Sequence, residues 1–293
     1  MRVGVWMPNA MPFGLERGFF LEWVRLADEA GFDTLSTVDR TNYDMWDPLV
    51  SLAAAAAVTE HSRLATTTLP LPNRNEVLVA KQAAVIDRIS GGRQTLGVSL
   101  GSRPDDYQVF GATLEHRVTR FRRQLATIRQ VWAQARQSDQ EHGVLGPPPV
   151  QDPGPPIWIG ARVERARQRA VELADGFIFG GAARLSTIGP TIQSMRPQIA
   201  ERGKTDFSFN AVAYIAIGGK HEFAEAAAHH ERYYPVLPVP VEQAIHHGPI
   251  GKIKEVVAEY AASGLDLLVL LPEVRSLQQL ELLSEHVLPE YRH

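Results

Sequence analysis

Eight short apolar, β-branched runs recur along the chain, and each is followed by a stretch of helical period. No other feature restricts the fold as much, because strand–helix alternation repeated eight times is what a closed parallel barrel requires. The runs are Val3–Met7, Thr34–Val38, Leu64–Leu69, Thr95–Leu100, Ile157–Ile159, Phe177–Phe179, Phe207–Ile217 and Leu265–Leu271. Between them Phe20, Trp23, Val24 and Ala27 fall at helical spacing, as do Phe121, Leu125, Ile128 and Trp132. Gly31 and the Gly91-Gly92 pair stand where helices should stop, and Asp47-Pro48 reads as an N-cap followed by a first-turn proline. Ser276 and Gln279 read as a capping box opening the last helix. The 293 residues suit one barrel domain, residues 1–293, with modest insertions. An open doubly wound sheet is the rival, but it leaves two edges and lacks a dinucleotide fingerprint.

Two segments break the rhythm. Gly146–Pro156 is proline-rich and should be an extended connector into strand five. Tyr233–Pro249, with Pro235, Pro238, Pro240 and Pro249, is expected to be a non-helical, lid-like insertion between strands seven and eight. The expected fold class is therefore α/β, a (β/α)8 TIM barrel with that insertion.

Several function classes drop out. With 30 Lys plus Arg against 33 Asp plus Glu, the net charge of −3 gives no basic field for nucleic acid or anionic lipid. No apolar run approaches about 18 residues, so no membrane partner is expected. The strand that begins at Val3 leaves no room for a signal peptide and, with zero cysteines, points to the cytoplasm. There is no G-x-G-x-x-G after a strand, no Walker loop, no H-E-x-x-H and no G-x-S-x-G elbow. The adjacent pairs His229-His230 and His246-His247 are expected to diverge rather than chelate, so no metal site is predicted.

The stretch Leu69-Pro70-Leu71-Pro72 through Asp87-Arg88-Ile89-Ser90-Gly91-Gly92-Arg93, then Leu96-Gly97-Val98, Asp105-Asp106-Tyr107 and Phe110-Gly111, resembles the bacterial-luciferase-like family of flavin and deazaflavin oxidoreductases. Ile157-Trp158-Ile159-Gly160 before a basic helix, Ala174-Asp175-Gly176 and Gly264 extend the resemblance along the chain. Much of the Asp87–Arg93 stretch is expected to be structural, with Asp87 and Arg88 in ion pairs at the base of the barrel. Function should sit at the opposite rim, at the C-terminal strand ends.

The resemblance implies F420 or FMN as cofactor, its phosphate held by the loops at Gly160, Ala161, Arg162, Gly180 and Gly181. Backbone amides opening a helix suit an anion, and Arg162 and Arg165 could add charge. It also implies a bulge with a non-prolyl cis peptide bracing the ring, for which Thr67-Thr68 is the matching dipeptide. Gly101 and Ser102 complete the cofactor-binding set, and Asp39, Arg40, Ser102 and Arg103 are the catalytic candidates. Relatives often carry a His after the strand-two Asp, whereas this chain has Arg40, which cannot shuttle a proton but can pair with an anion. No acid stands where deazaflavin-using relatives have one, so the proton donor is unassigned. Tyr43, Trp46, Tyr233 and Tyr234 are loop aromatics, at least two of them expected to serve packing.

The expected activity is hydride transfer from a reduced flavin-type cofactor to a small organic substrate, with a lean towards F420 because the family's His is missing and the composition is rich in Ala and Arg. An FMNH2-dependent monooxygenase and a non-catalytic flavin-binding barrel are the alternatives. The resemblance further implies a homodimer.

Overall fold

A computed structural model describes residues 1–10, 16–137, 145–181, 183–234 and 239–291. Its strands are β1 (Arg2–Trp6), β2 (Thr34–Thr37), β3 (Arg63–Thr66), β4 (Leu69–Pro70), β5 (Gln94–Ser99), β6 (Ile157–Gly160), β7 (Gly176–Phe179), β8 (Ser208–Ile217), β9 (Ile245–Gly248) and β10 (Leu267–Pro272). All pair in parallel, in the order β10-β1-β2-β3-β5-β6-β7-β8-β9. β10 also pairs with β8, matching Leu267 with Asn210 and Pro272 with Ile215, and this closes the barrel. β4 continues β3 beyond Thr67–Thr68 and pairs with β5, while β9 pairs with the C-terminal end of β8, Tyr214–Ile217, past the β7 pairing. Eight barrel strands remain once those two are set aside.

The helices are α1 (Arg17–Ala30), α2 (Pro48–Ala56), α3 (Glu76–Ile89), α4 (Pro104–Val109), α5 (Arg117–Gln137), α6 (Glu164–Leu173), α7 (Leu185–Ala200), α8 (Lys220–Tyr233), α9 (Val241–Ala244), α10 (Ile250–Ala262) and α11 (Leu277–His286). Among the described residues, no helix is long and apolar enough to cross a membrane. The expected stops hold: Gly31 ends α1 at φ 86°, and the Asp47 carboxylate accepts from the Leu49 and Val50 amides at 2.9 and 3.1 Å.

Both faces of each strand are covered, which is why the strands read as continuous apolar runs. On β10, Leu268 and Leu270 pack towards the helices, while Leu267, Val269 and Leu271 join Trp6, Trp158, Ile178, Val212 and Tyr214 in a second cluster. Gly97 is fixed by close approach, since a Cβ there would lie 1.9 Å from the Thr66 carbonyl oxygen of β3.

Three local readings change. The Tyr233–Pro249 stretch contains α9 and β9; His246-His247-Gly248 has no β-branched alternation, so pairing with β8 alone makes it a strand. Ser276 accepts the Gln278 amide, but Gln279 does not complete a capping box. Its side-chain amide instead bonds both backbone groups of Ile217 at 2.9 and 2.8 Å, tying α11 to the end of β8. Asp87 makes no pair with Arg88, which reaches the Pro148 carbonyl instead.

The fully buried Asp87 carboxylate accepts the Val150 and Gln151 amides at 2.7 and 3.0 Å and the Gln151 side chain at 2.6 Å. The proline-rich connector is thereby anchored to α3. Asp87→Ala strands these donors and should cost about 3 kcal/mol in urea unfolding, with Asp87→Asn losing less.

Candidate active site

A cavity of about 440 Å³ opens at the C-terminal ends of the barrel strands. Asp39 after β2, Thr67-Thr68 between β3 and β4, Gly101-Ser102-Arg103 after β5, Gly160-Ala161-Arg162 at β6 and Gly180-Gly181 after β7 all line it. Parallel strands deliver their C-terminal ends to one rim, so residues far apart in sequence meet there. Ile178 and Val212 supply apolar surface, and Tyr214, Tyr233 and Tyr234 form part of the wall. A larger cavity of about 720 Å³ lies at the other end, among Arg2, Arg63 and Ser208. Three of its arginines stand near acids, in Arg2–Asp33, Arg129–Asp175 and Arg136–Asp152, at 3.5, 3.9 and 3.4 Å.

The Thr67–Thr68 peptide is cis, and the Thr67 hydroxyl donates to the Ser36 hydroxyl at 3.1 Å. The glycines at the rim serve different ends. A Cβ on Gly160 would lie 2.8 Å from the Thr68 methyl, and one on Gly181 would lie 2.3 Å from the Tyr214 ring. Those two make room for protein side chains. Around Gly180 there is open space.

Asp39 is held from the side by Arg74, whose Nε and Nη2 reach Oδ2 at 3.0 and 2.9 Å. Arg74 also bonds Asp47 at 2.7 Å, so it joins the β2 loop to the N-cap of α2. Burial pushes the Asp39 carboxyl up to about 6, desolvation outweighing the pull of Arg74. Arg40 is buried behind the wall and does not line the cavity. It donates to the Tyr233 carbonyl and, at 3.1 Å, to Asp105. Arg103 donates to the same carbonyl at 3.0 Å, its guanidinium 5.1 Å from the Tyr233 ring centroid and 4.8 Å from that of Tyr234. The end of α8 is thus fastened across the cavity by two of the four catalytic candidates. Ser102 stands exposed on the rim, and Asp106 faces the cavity while accepting the Asn42 amide at 2.9 Å.

Tyr233 and Tyr234 are wall residues, whereas Tyr43 packs edge-on against Tyr233 and Trp46 packs on Phe20. The Tyr214 and Tyr234 hydroxyls lie 2.5 Å apart. Burial raises the pKa of both, which keeps them protonated. Behind them, Nδ1 of His229 and of His230 each lie 3.3 Å from a different carboxylate oxygen of the buried Glu273. The adjacent histidines therefore converge on one acid instead of diverging. That convergence is set by Glu273, just past β10, and the helix pattern gives no hint of it.

Sequence reasoning also missed Arg74, Arg117 and Arg169, the last two of which line the cavity. Arg165 is exposed and lies outside its lining. A signal for Arg169 did exist, since it shares the buried face of α6 with Ala166 and Ala170.

Because the folded-state pKa of Asp39 lies above the value of about 3.9 in an unfolded chain, its neutral form is favoured by folding. That contribution is complete below about pH 4 and is lost as pH rises through about 6. Asp39→Asn should remove on the order of 3 kcal/mol of pH-dependent stability over this window, read from urea midpoints at successive pH values.

Residues 1–265 match the luciferase-like monooxygenase family. Over 166 residues the chain is 29% identical to the oxygenase component of a flavin-dependent trigonelline monooxygenase from Acinetobacter baylyi, a match covering 52% of this chain and 45% of that protein. The chain spans about half the length of the curated relatives it matches. A monooxygenase from Streptomyces bottropensis superposes with a TM-score of 0.82 at 22% identity, covering 100% of both chains. An F420-dependent secondary alcohol dehydrogenase superposes with a TM-score of 0.81 at 16% identity, covering 100% of this chain and 99% of that one. Both superpositions support the closed barrel. The chain also matches a putative coenzyme F420-dependent oxidoreductase from Mycobacterium tuberculosis, 30% identical over 135 residues that cover 43% of this chain and 38% of that protein. The chain belongs to the luciferase-like monooxygenase family.

Proposed function

We propose that the cavity holds a flavin-type cofactor, FMN or F420, and that the protein is an oxidoreductase that reduces a small organic substrate by hydride transfer. One observation carries this reading: the two glycine-bearing loops after β6 and β7 face the Thr67–Thr68 bulge across one cavity with apolar surface at Ile178 and Val212. The residues present suit such a cofactor. Among the described residues the Ala161 and Arg162 amides, just before α6, have no acceptor, and Gly180 leaves space beside them. Free amides at a helix N-terminus hold phosphate well. A volume of about 440 Å³ falls within the ordinary range of small-molecule sites.

The bound cofactor would supply two-electron chemistry, and the protein supplies binding, orientation and protons. The loops at Gly160–Arg162 and Gly180-Gly181 would hold the anionic end. Thr67 and Thr68 would support the ring. Tyr214 and Tyr234 keep hydroxyl protons at the cavity wall, where a substrate oxygen gaining negative charge could take one. Arg40 and Arg103, through the Tyr233 carbonyl, hold the end of α8 in place and restrict water entry.

A flavin monooxygenase is the second reading, favoured by the match to the trigonelline enzyme. Titration with FMN and with F420, read by quenching of cofactor fluorescence, tests the first reading, and binding of neither sinks it. Rapid oxygen uptake on mixing with FMNH2 would turn the assignment to the second reading. Under the hydride-transfer reading, Tyr214→Phe should slow turnover by roughly a hundredfold while leaving cofactor affinity unchanged. Turnover and fluorescence titration together check that split.

A further inference from the structure

A row of three register-matched residues crosses the base of the barrel: Trp158 on β6 pairs with Gly176 on β7, and Gly176 pairs with Ser208 on β8. The middle position has no side chain. A Cβ on Gly176 would lie 2.5 Å from Trp158 Cδ1, 2.8 Å from Trp158 Nε1 and 2.6 Å from Ser208 Oγ. The indole N–H and the seryl hydroxyl therefore converge over one glycine. Both residues line the cavity of about 720 Å³ at the end of the barrel remote from the candidate active site.

The protein itself uses neither donor. Trp158 is only 5% exposed, yet its N–H has no acceptor among the described residues. Ser208 Oγ accepts from the Asn210 side-chain amide at 2.9 Å, and its own proton has no acceptor among the described residues. Thr95, 1% exposed, lines the same cavity, and its hydroxyl has no partner among the described residues. Its β5 neighbour Leu96 packs towards the helices, so Thr95 faces the barrel interior. A buried donor left unpaired costs about 1–3 kcal/mol, and three of them stand along one wall.

The rest of the lining defines the acceptor they suit. Trp132, Pro153, Pro155 and Pro156 give apolar surface. Four arginines line the cavity against three aspartates, which leaves it positive. Arg129 and Arg136 donate to the Leu173 and Gln151 carbonyls, and Arg2 stands beside Asp33. Arg63 has no hydrogen-bond or ion-pair partner among the described residues. Of the three acids, Asp175 and Asp152 stand near Arg129 and Arg136, and Asp206 is met by the Thr205 hydroxyl at 3.3 Å.

We propose that the base of the barrel holds a second ligand site, for a small aromatic carboxylate, whose acid group is met by the Trp158 N–H and the Ser208 hydroxyl, with Arg63 as counter-charge. An ionised carboxylate only accepts, so unspent donors and one unneutralised cation match it. Its ring suits the proline and indole surface beside them, in a cavity of ordinary small-molecule size. The site is independent of the cofactor reading, and either can fail while the other stands.

Calorimetric titration and ligand-observed NMR with benzoate as the probe test the proposal. Wild type should bind benzoate with a Kd of about 1 mM or tighter, and benzamide and acetate roughly tenfold more weakly, since one lacks the charge and the other the ring. Trp158→Phe keeps an aromatic ring without the N–H, and Ser208→Ala removes the hydroxyl. Each should weaken benzoate roughly tenfold. Arg63→Gln should weaken benzoate and leave benzamide unchanged. Absence of benzoate binding up to about 20 mM overturns the proposal. Binding that none of the three substitutions weakens overturns it too, because benzoate then sits elsewhere. Equal affinity for benzoate and benzamide removes the carboxylate from it and overturns it likewise. If Trp158→Phe does not fold, Ser208→Ala and Arg63→Gln decide.

Discussion

β10 bonds to β1 on one side and to β8 on the other, and that closure fixes where every other group can stand. A parallel barrel with no open edge sends all its strand ends to two rims, and helices cover its outside. Groups from Asp39 to Tyr234 then share one cavity although they are separated by most of the chain. The two rims also divide the labour. Asp87 and its connector secure one end, whereas the other carries glycine-bearing loops, tyrosines and unneutralised arginines.

The barrel was legible because strands buried on both faces leave a plain signature, and its helices carry caps that obey local rules. Asp47 and Gly31 illustrate this, each acting within a few residues of itself. The readings that changed depend on partners distant in sequence. β9 exists through β8, Gln279 is drawn to Ile217, and Asp87 faces Val150 and Gln151. At the candidate site, all nine positions expected to bind a cofactor line the cavity, because strand ends follow directly from the strand assignment. Arg40 did not, since neither Tyr233 nor Asp105 is its neighbour in sequence. Arg169 was missed for a different reason: a single arginine on a basic helix looks solvated until the helix is seen packed.

The arginines around the cavity fall into two groups by what they touch. Arg40, Arg74 and Arg103 are spent on protein acceptors, namely the Tyr233 carbonyl, Asp105, Asp39 and Asp47. Arg117, Arg162 and Arg169 have no such acceptor among the described residues. The division follows the rim: the first group organises the side of β2 and α8, and the second surrounds the start of α6. The cavity thus carries its unneutralised positive charge on one side, among the described residues, which gives it a direction as well as a volume.

The shared acceptor at Tyr233 has a mechanical consequence. Two cations from separate loops, one after β2 and one after β5, converge on a single oxygen at the last turn of α8. Any withdrawal of that turn breaks both bonds together, so the two loops are coupled to α8 through one atom. Both loops therefore register any displacement of that turn at once.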